Sequence, residues 1–320
     1  MSQYRFLFGP VPSRRFGRSL GVDLVPFKTC TYNCIFCQLG PTTHLTNTSQ
    51  EFVPIDAVLE ELRHWFQTNG QADYITLSGS GEPTLHSRFG QVLDLVKKEF
   101  SLPTLLLTNG SLLYRPEVRE MASQADVVKI SLSAWDEASY QHINRHHPDV
   151  HFSDLIHGES ALRAAFTGLL FMEVFILQGI NDSPDQIQKI ASIAQNIKPD
   201  KIQLNTSIRP PAETWAQPVD QETLQRLTTY FSPPAEIIAD FSPHDTSYNT
   251  HKADSEMILS LLERRPCTLG DVSHIFNMHP NETSKYIGYL IRDNKVSVTH
   301  QNGEVYYIGL LESNQKDADI

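Results

Sequence analysis

Cys30, Cys34 and Cys37 fall within eight residues as a C-x3-C-x2-C run, and the fourth cysteine, Cys267, stands far away. Thiolates are soft ligands that suit zinc and iron–sulfur clusters. So uneven a set is not the disulfide framework of a small secreted scaffold. A closed structural zinc site or an electron-transfer [4Fe–4S] cluster takes four protein ligands, and the local run supplies three. Either three cysteines hold a four-iron cube and leave one iron open to a reacting ligand, or a zinc ion is completed by His44 or Cys267.

Other candidates sit where short apolar runs end. Ser78-Gly79-Ser80-Gly81-Glu82-Pro83 lets a backbone approach a ligand closely, and is also an ordinary turn composition. Asn109, Ser131 and Ser133 end two further runs, where polar residues act as caps, turn formers or ligand contacts. Arg14, Arg15 and Arg18 are candidate donors to phosphate or carboxylate. His142, His146, His147 and His151 crowd a segment around Ile143-Asn144-Arg145-His146-His147-Pro148, as proton carriers, metal ligands or surface residues.

These residues need a scaffold. Between about residues 20 and 240 short apolar runs alternate with amphipathic stretches. Strands are expected at Leu20–Val25, Tyr74–Ser78, Thr104–Leu107, Val127–Leu132, Leu170–Leu177 and Lys201–Asn205, with a further one at Glu236–Phe241. Helical stripes run through Ile55, Val58, Leu59, Leu62 and Phe66, then Phe89, Val92, Leu93 and Val96, then Ile187, Ile190, Ala191, Ala194 and Ile197. Six βα units imply a parallel sheet short of a closed eight-stranded barrel, and the cysteines follow its first strand, at the end where α/β barrels place active sites.

At this point the sequence resembles the radical S-adenosylmethionine (SAM) superfamily, on the C-x3-C-x2-C loop with aromatic Phe36 before the last cysteine. The resemblance covers about residues 18–210 and implies a partial (β/α)6 TIM-like barrel. It implies a [4Fe–4S] cluster on Cys30, Cys34 and Cys37 whose open iron chelates SAM, and reductive cleavage of SAM to a 5′-deoxyadenosyl radical. Ser80, Gly81 and Glu82 match the family's Gly-Gly-Glu-Pro segment, with Ser80 replacing its first glycine. By the same resemblance Phe36, Asn109, Ser131 and Ser133 join them as SAM contacts, with Asn205 a weaker candidate. Valine at Gly81 is then expected to crowd the methionyl end of SAM and spare the cluster. The segments Val11–Val22 and Ile143–Pro148 resemble a little-characterised branch related to the enzymes that form the wyosine base of transfer RNA. That makes Arg14, Arg15, Arg18 and Arg145 candidate substrate contacts, with at least two of the first three expected near the cluster-bearing mouth.

The 320-residue chain has a net charge of −11, which argues against wholesale wrapping by nucleic acid. Residues 1–50 nevertheless hold five basic side chains against Asp23 alone, a local invitation to an anionic partner. That partner is expected to be RNA or another anionic substrate, or an acidic electron donor such as a flavodoxin or ferredoxin. No apolar run has transmembrane length and the N-terminus lacks signal-peptide character, so a cytoplasmic protein without a membrane partner is expected.

Three domains are expected: residues 1–246 as the SAM-binding barrel, 247–311 as a winged helix, and 312–320 as a polar tail. The winged helix is read from three helices followed by two apolar runs across Asn302-Gly303. Residues 252–311 carry six basic and seven acidic side chains, too balanced for an autonomous DNA reader, so a docking role is expected. Cys267 is expected to be structural. The rival function is an iron–sulfur redox sensor whose winged helix binds DNA.

Overall fold

The computed structural model describes residues 4–13, 17–68, 70–239, 255–276, 278, 280–301 and 303–310. The chain divides into two compact units: Phe6–Phe241, and Ser242–Ile320 together with Met1–Arg5.

The larger unit is an α/β fold around an eight-stranded, mostly parallel sheet, like the TIM-like barrels expected from the sequence. Its strands are β1 (Leu7–Ser13), β2 (Gly17–Val22), β3 (Tyr74–Leu77), β4 (Thr104–Leu107), β5 (Val127–Ser131), β6 (Leu169–Ile176), β7 (Lys201–Thr206) and β8 (Glu236–Ile237). They are hydrogen-bonded in that order. Strands β2 to β8 run parallel, and β1 pairs antiparallel with β2, Leu7 opposite Val22.

Strand β1 was not expected. Pro10 and Pro12 break its pattern, and proline lacks the N–H that a central strand must donate. As the edge of the sheet β1 tolerates them.

Alternation along the strands sorts their two faces. Ile75, Leu77, Leu106, Val128, Ile130, Leu170, Met172, Val174, Ile202 and Leu204 are buried on one face. This is the face that crossover helices cover in parallel sheets. On the other face Leu105, Val127 and Phe171 pack with Tyr74 and Leu107 into an apolar floor. Further along the same strands this face turns polar, with Lys129, Ser131, Glu173 and Asn205 half-buried.

Among the described residues seven α-helices cross between strands: α1 (Ile55–Gln67), α2 (Gly90–Leu95), α3 (Pro116–Ala122), α4 (Glu137–Asn144), α5 (Phe152–Ala165), α6 (Pro184–Ile197) and α7 (Gln221–Thr228). The stripe on α1 buries Ile55, Val58, Leu62 and Trp65. Helix α6 starts where Ser183-Pro184 predicts. Ser183 accepts from the Gln186 N–H while the Gln186 side chain accepts from the Ser183 N–H, a reciprocal cap.

The smaller unit holds α8 (Ser255–Arg264), α9 (Leu269–Phe276) and α10 (Pro280–Arg292), then an antiparallel hairpin of β9 (Val296–Gln301) and β10 (Glu304–Gly309). Its core gathers Ile258, Leu262, Val272, Ile287, Leu290 and Cys267. The Cys267 backbone pairs with Tyr307, 3.1 and 2.8 Å in the two directions. Residues 242–251, around the expected domain boundary, and the polar tail lie outside the described residues. Among the described residues no helix is long and apolar enough to cross a membrane.

Candidate active site at the cysteine loop

The loop carrying the three cysteines leaves the C-terminal end of β2. Thr29–Cys30 forms a short parallel pair with His44–Leu45, which closes the loop on itself. Within it Thr42 donates its N–H to Asn33 Oδ1 at 2.8 Å and its hydroxyl to the Tyr32 carbonyl at 2.7 Å. The turn over Cys34–Cys37 is held by the Cys37 N–H on the Cys34 carbonyl at 3.2 Å.

A second segment pins this loop from outside. After α4 the chain turns left-handed at Arg145, φ 45°. The carbonyls of Asn144 and Ile143 then accept the N–H groups of Asn33 and Ile35, both at 3.0 Å, and the His147 N–H reaches the Thr31 carbonyl at 2.9 Å. The Ile143–Pro148 segment thus scaffolds the cysteine loop, a role its sequence did not announce.

All three cysteines are half-buried. Each sulfur faces a side-chain N–H donor. Asn109 Nδ2 lies 3.6 Å from Cys30 Sγ, Asn144 Nδ2 lies 3.5 Å from Cys34 Sγ, and Lys28 Nζ lies 3.1 Å from Cys37 Sγ. Burial, with the Glu82 carboxylate adding to it, pushes the Cys30 thiol up to about 12. Burial pushes the Cys34 thiol up as well. Thiolates here call for cations beside them.

The other predicted residues gather around this loop. Phe36 stacks on Phe175 at 4.2 Å between centroids, which lays the loop over the end of β6. Ser80 accepts the Lys28 N–H at 2.7 Å and donates its hydroxyl to Asp23 Oδ2 at 2.5 Å.

Gly81 lies against the Thr29 carbonyl oxygen, which occupies the place a Cβ would take. Its lack of a side chain therefore lets the β3 turn meet the cysteine loop, where a valine would meet that carbonyl. Glu82 is buried and faces inward. It accepts from Thr84 N at 3.0 Å, Thr84 Oγ1 at 2.6 Å, Thr108 Oγ1 at 2.7 Å and Asn109 N at 2.7 Å. It ties the β3 and β4 turns together.

Asn109 gives Nδ2 to Thr31 Oγ1 at 2.8 Å as well as to Cys30, and its Oδ1 accepts from Ser111 N at 3.0 Å. Ser133 is buried, its hydroxyl accepting the Phe175 N–H at 3.0 Å. Ser131 ends β5 opposite Glu173. Beside it Lys129 pairs with Glu173, whose other oxygen accepts Asn205 Nδ2 at 2.9 Å.

The arginines divide. Arg18 starts β2, where it binds Asp73 through Nε and Nη2 at 3.3 and 3.0 Å and Gln71 at 3.0 Å. It therefore stands at the N-terminal end of the parallel strands, and the cysteines follow the C-terminal end. This places Arg18 away from the mouth, because β2 runs between the two positions at about 3.3 Å per residue, and the expectation for two of the three arginines rests on Arg14 and Arg15. Arg14 and Arg15 lie outside the described residues. Arg145 pairs with Glu213 at 2.5 Å.

With Asn33, Leu45, Gln141, His142 and His146, Arg145 lines an open cavity of about 560 Å³ beside the cysteine loop. The exposed Trp215 ring tilts against His142 at 5.8 Å. His146 is buried and stacks on Tyr140 at 4.3 Å, and His151 faces Glu137 at 3.8 Å. Among the described residues no three His, Cys, Asp or Glu side chains converge on a single ion. A cube takes one thiolate per iron and asks for no such convergence. Of the two alternative zinc ligands, His44 sits in the short pair with Thr29–Cys30, its ring edge-on to Phe52 at 6.4 Å, and Cys267 belongs to the smaller unit.

Sequence reasoning missed Lys28, Asn144, Lys129, Glu173 and Glu159. Lys28 stands two residues before Cys30 and Asn144 lies inside a segment already singled out, so both had a positional signal. Glu159 had none.

Glu159 lies on α5 beneath the β4 turn, where a Cβ on Gly110 would come within 2.7 Å of its Oε1. Neither carboxylate oxygen meets a hydrogen-bond donor among the described residues, and burial alone pushes the carboxyl well above its ordinary 4.5. A raised carboxyl keeps its proton in the folded state after the unfolded chain has lost it. Stability is therefore present below the ordinary value and is lost as pH rises toward the folded value, by up to about 1.4 kcal/mol per pH unit. Glu159→Gln keeps the shape and removes the titration. Its stability relative to the native protein is expected to grow from pH 4.5 upward in urea unfolding. Parallel pH profiles of the two proteins would show that Glu159 is not held neutral.

Comparison with known proteins follows this geometry. Residues 24–194 match the model of the radical SAM superfamily. A protein of Brachyspira hyodysenteriae called GTPase Obg is 35% identical over 94% of this chain, which spans 45% of that relative's length. A UPF0026 protein of Methanocaldococcus jannaschii is 29% identical over 97% of this chain and 98% of its own. The crystal structure of a radical SAM methyltransferase from Sphaerobacter thermophilus matches 70% of this chain and 67% of its own, with 15% identity and a TM-score of 0.53, a likeness of fold. With just over half of the chain matched, this protein belongs to the radical SAM superfamily, whose enzymes use a [4Fe–4S] cluster and SAM.

Proposed function

We propose that Cys30, Cys34 and Cys37 hold the [4Fe–4S] cluster of this enzyme, and that it acts on an RNA nucleoside with a flavodoxin or ferredoxin as electron donor. The donor set fits the group. Three soft ligands share one loop, each sulfur has an N–H donor, and the thiols lie where thiolates need neighbouring cations. When bound, the cluster and SAM supply a 5′-deoxyadenosyl radical for hydrogen abstraction. The protein's own part is to orient and shield.

Phe36 on Phe175 covers one side of the site. Glu82 and Asn109 act by positioning the cysteine loop. Ser131, Lys129, Glu173 and Asn205 form the polar lining above the apolar floor, which suits the SAM ribose and carboxylate or a polar substrate.

The observation that carries the reading is the loop itself, with three cysteines following a parallel strand and one N–H donor aimed at each sulfur. The RNA reading draws support from the cavity beside that loop. Arg145 offers charge to phosphate, and the Trp215 and His142 rings offer faces on which an unpaired base stacks. The partial (β/α)6 barrel is the proposed form of the larger unit. A winged helix is the proposed form of the smaller one, supported by its three helices and hairpin, as a docking module. Its balanced charge speaks against the DNA-binding sensor.

Anaerobic reconstitution followed by SAM and dithionite is expected to yield 5′-deoxyadenosine, with yield rising when RNA is added. A fully loaded cluster that forms none would sink the proposal. Stimulation by a peptide or small metabolite and not by RNA would remove the nucleoside.

A further inference from the structure

Two of the three side-chain N–H donors that face the cysteine sulfurs are neutral amides, Asn109 and Asn144. The third is a cation. Lys28 is 3% exposed, and its Nζ lies 3.1 Å from Cys37 Sγ. Lysine is almost never fully buried unless paired. Among the described residues the sulfur is its side-chain partner, and no carboxylate forms an ion pair with it.

The backbone holds Lys28 there against a cost. Its φ is 61°, a left-handed conformation uncommon outside glycine. Main-chain bonds on both sides keep it so. Its N–H reaches the Ser80 carbonyl at 2.7 Å, and its carbonyl accepts Thr43 N at 3.2 Å and His44 N at 3.1 Å. Three separate turns thus converge to place one ammonium group on one sulfur.

We infer that Lys28 is a positioning residue of the cluster, a fixed positive charge beside Cys37 Sγ that favours the reduced cluster. The inference rests on the assignment of Cys30, Cys34 and Cys37 as ligands. Reduction moves one electron from a low-potential donor onto the cluster, and no bond forms or breaks. The product is one unit more negative, so a buried cation beside a ligand sulfur stabilises it more than the oxidised form. Net charge and hydrogen bonds to the sulfurs are levers by which proteins set such potentials.

The test is an EPR-monitored redox titration of the full-length, anaerobically reconstituted protein without SAM, with dithionite as reductant. Iron and sulfide analysis and circular dichroism run beside it. Lys28→Met removes the charge and keeps an unbranched side chain at the left-handed position, with Lys28→Gln in its place if Met does not fold. Lys28→Arg keeps the charge.

Lys28→Met is expected to carry full iron and to shift its reduction equilibrium at least about tenfold toward the oxidised form, or about 59 mV for one electron. Lys28→Arg is expected to stay within about threefold of the native protein. Iron lost from Lys28→Met but kept by Lys28→Arg also supports the charge. An unchanged potential in fully loaded Lys28→Met overturns the inference. Cluster loss from both variants with native circular dichroism overturns it too, because shape and not charge is then what matters. A full cluster in Cys37→Ala would remove the ligand assignment instead, whatever the Lys28 variants show.

Discussion

Replacing Cys30, Cys34 or Cys37 by alanine is expected to abolish cluster assembly, and with it all formation of 5′-deoxyadenosine. The three thiols share one loop, so each loss leaves two ligands for a cube that takes one per iron. Cys267→Ala is expected to assemble the cluster normally. Its sulfur sits in the core of the smaller unit, and truncation there leaves a small cavity worth on the order of 1 kcal/mol. Iron and sulfide analysis after anaerobic reconstitution decides both halves. Normal iron in Cys37→Ala would end the ligand assignment, and lost iron in Cys267→Ala would bring the fourth cysteine into the site.

Gly81→Val is expected to destabilise the larger unit and strip the cluster together. A Cβ at residue 81 collides with the Thr29 carbonyl oxygen. That oxygen is backbone, accepts the Glu82 N–H at 3.2 Å and belongs to the residue before Cys30. It cannot rotate aside as a side chain would, so the β3 turn and the cysteine loop must part. Overpacking of this kind costs about 1–3 kcal/mol and sometimes more, and the valine methyls put this variant at the upper end. Gly81→Ala carries the same Cβ and is expected to show most of the effect. Urea unfolding midpoints read beside iron content provide the check. A native midpoint and full iron in Gly81→Ala would mean that the two turns do not depend on this contact.

The parts of the site that sequence revealed are those whose information is local. Three cysteines within eight residues state their chemistry by type and spacing alone. The apolar runs of β3 to β7 and the stripe of α6 follow from periodicities of two and 3.6, which burial imposes on neighbouring residues. The start of α6 at Ser183-Pro184 is a local signal as well.

What each polar side chain touches was decided at long range. Asn109 meets Cys30 across 79 positions, Asn144 meets Cys34 across 110, and Ser80 meets Asp23 across 57. A strand end fixes where such a residue sits, but its partner depends on which turn the packed helices bring against it. Asn109 and Glu82 therefore brace the cysteine loop, and the Ser133 hydroxyl accepts the Phe175 N–H, contacts no local pattern announces. Arg18 shows the limit most plainly. It is near the cysteines in sequence, yet β2 runs between them and leaves it at the other end of the sheet, bound to Asp73. Sequence by itself determined the reactive thiols, the βα alternation and the family. Only the tertiary structure decided which N–H groups face the sulfurs, because those contacts exist once separate turns have been packed together.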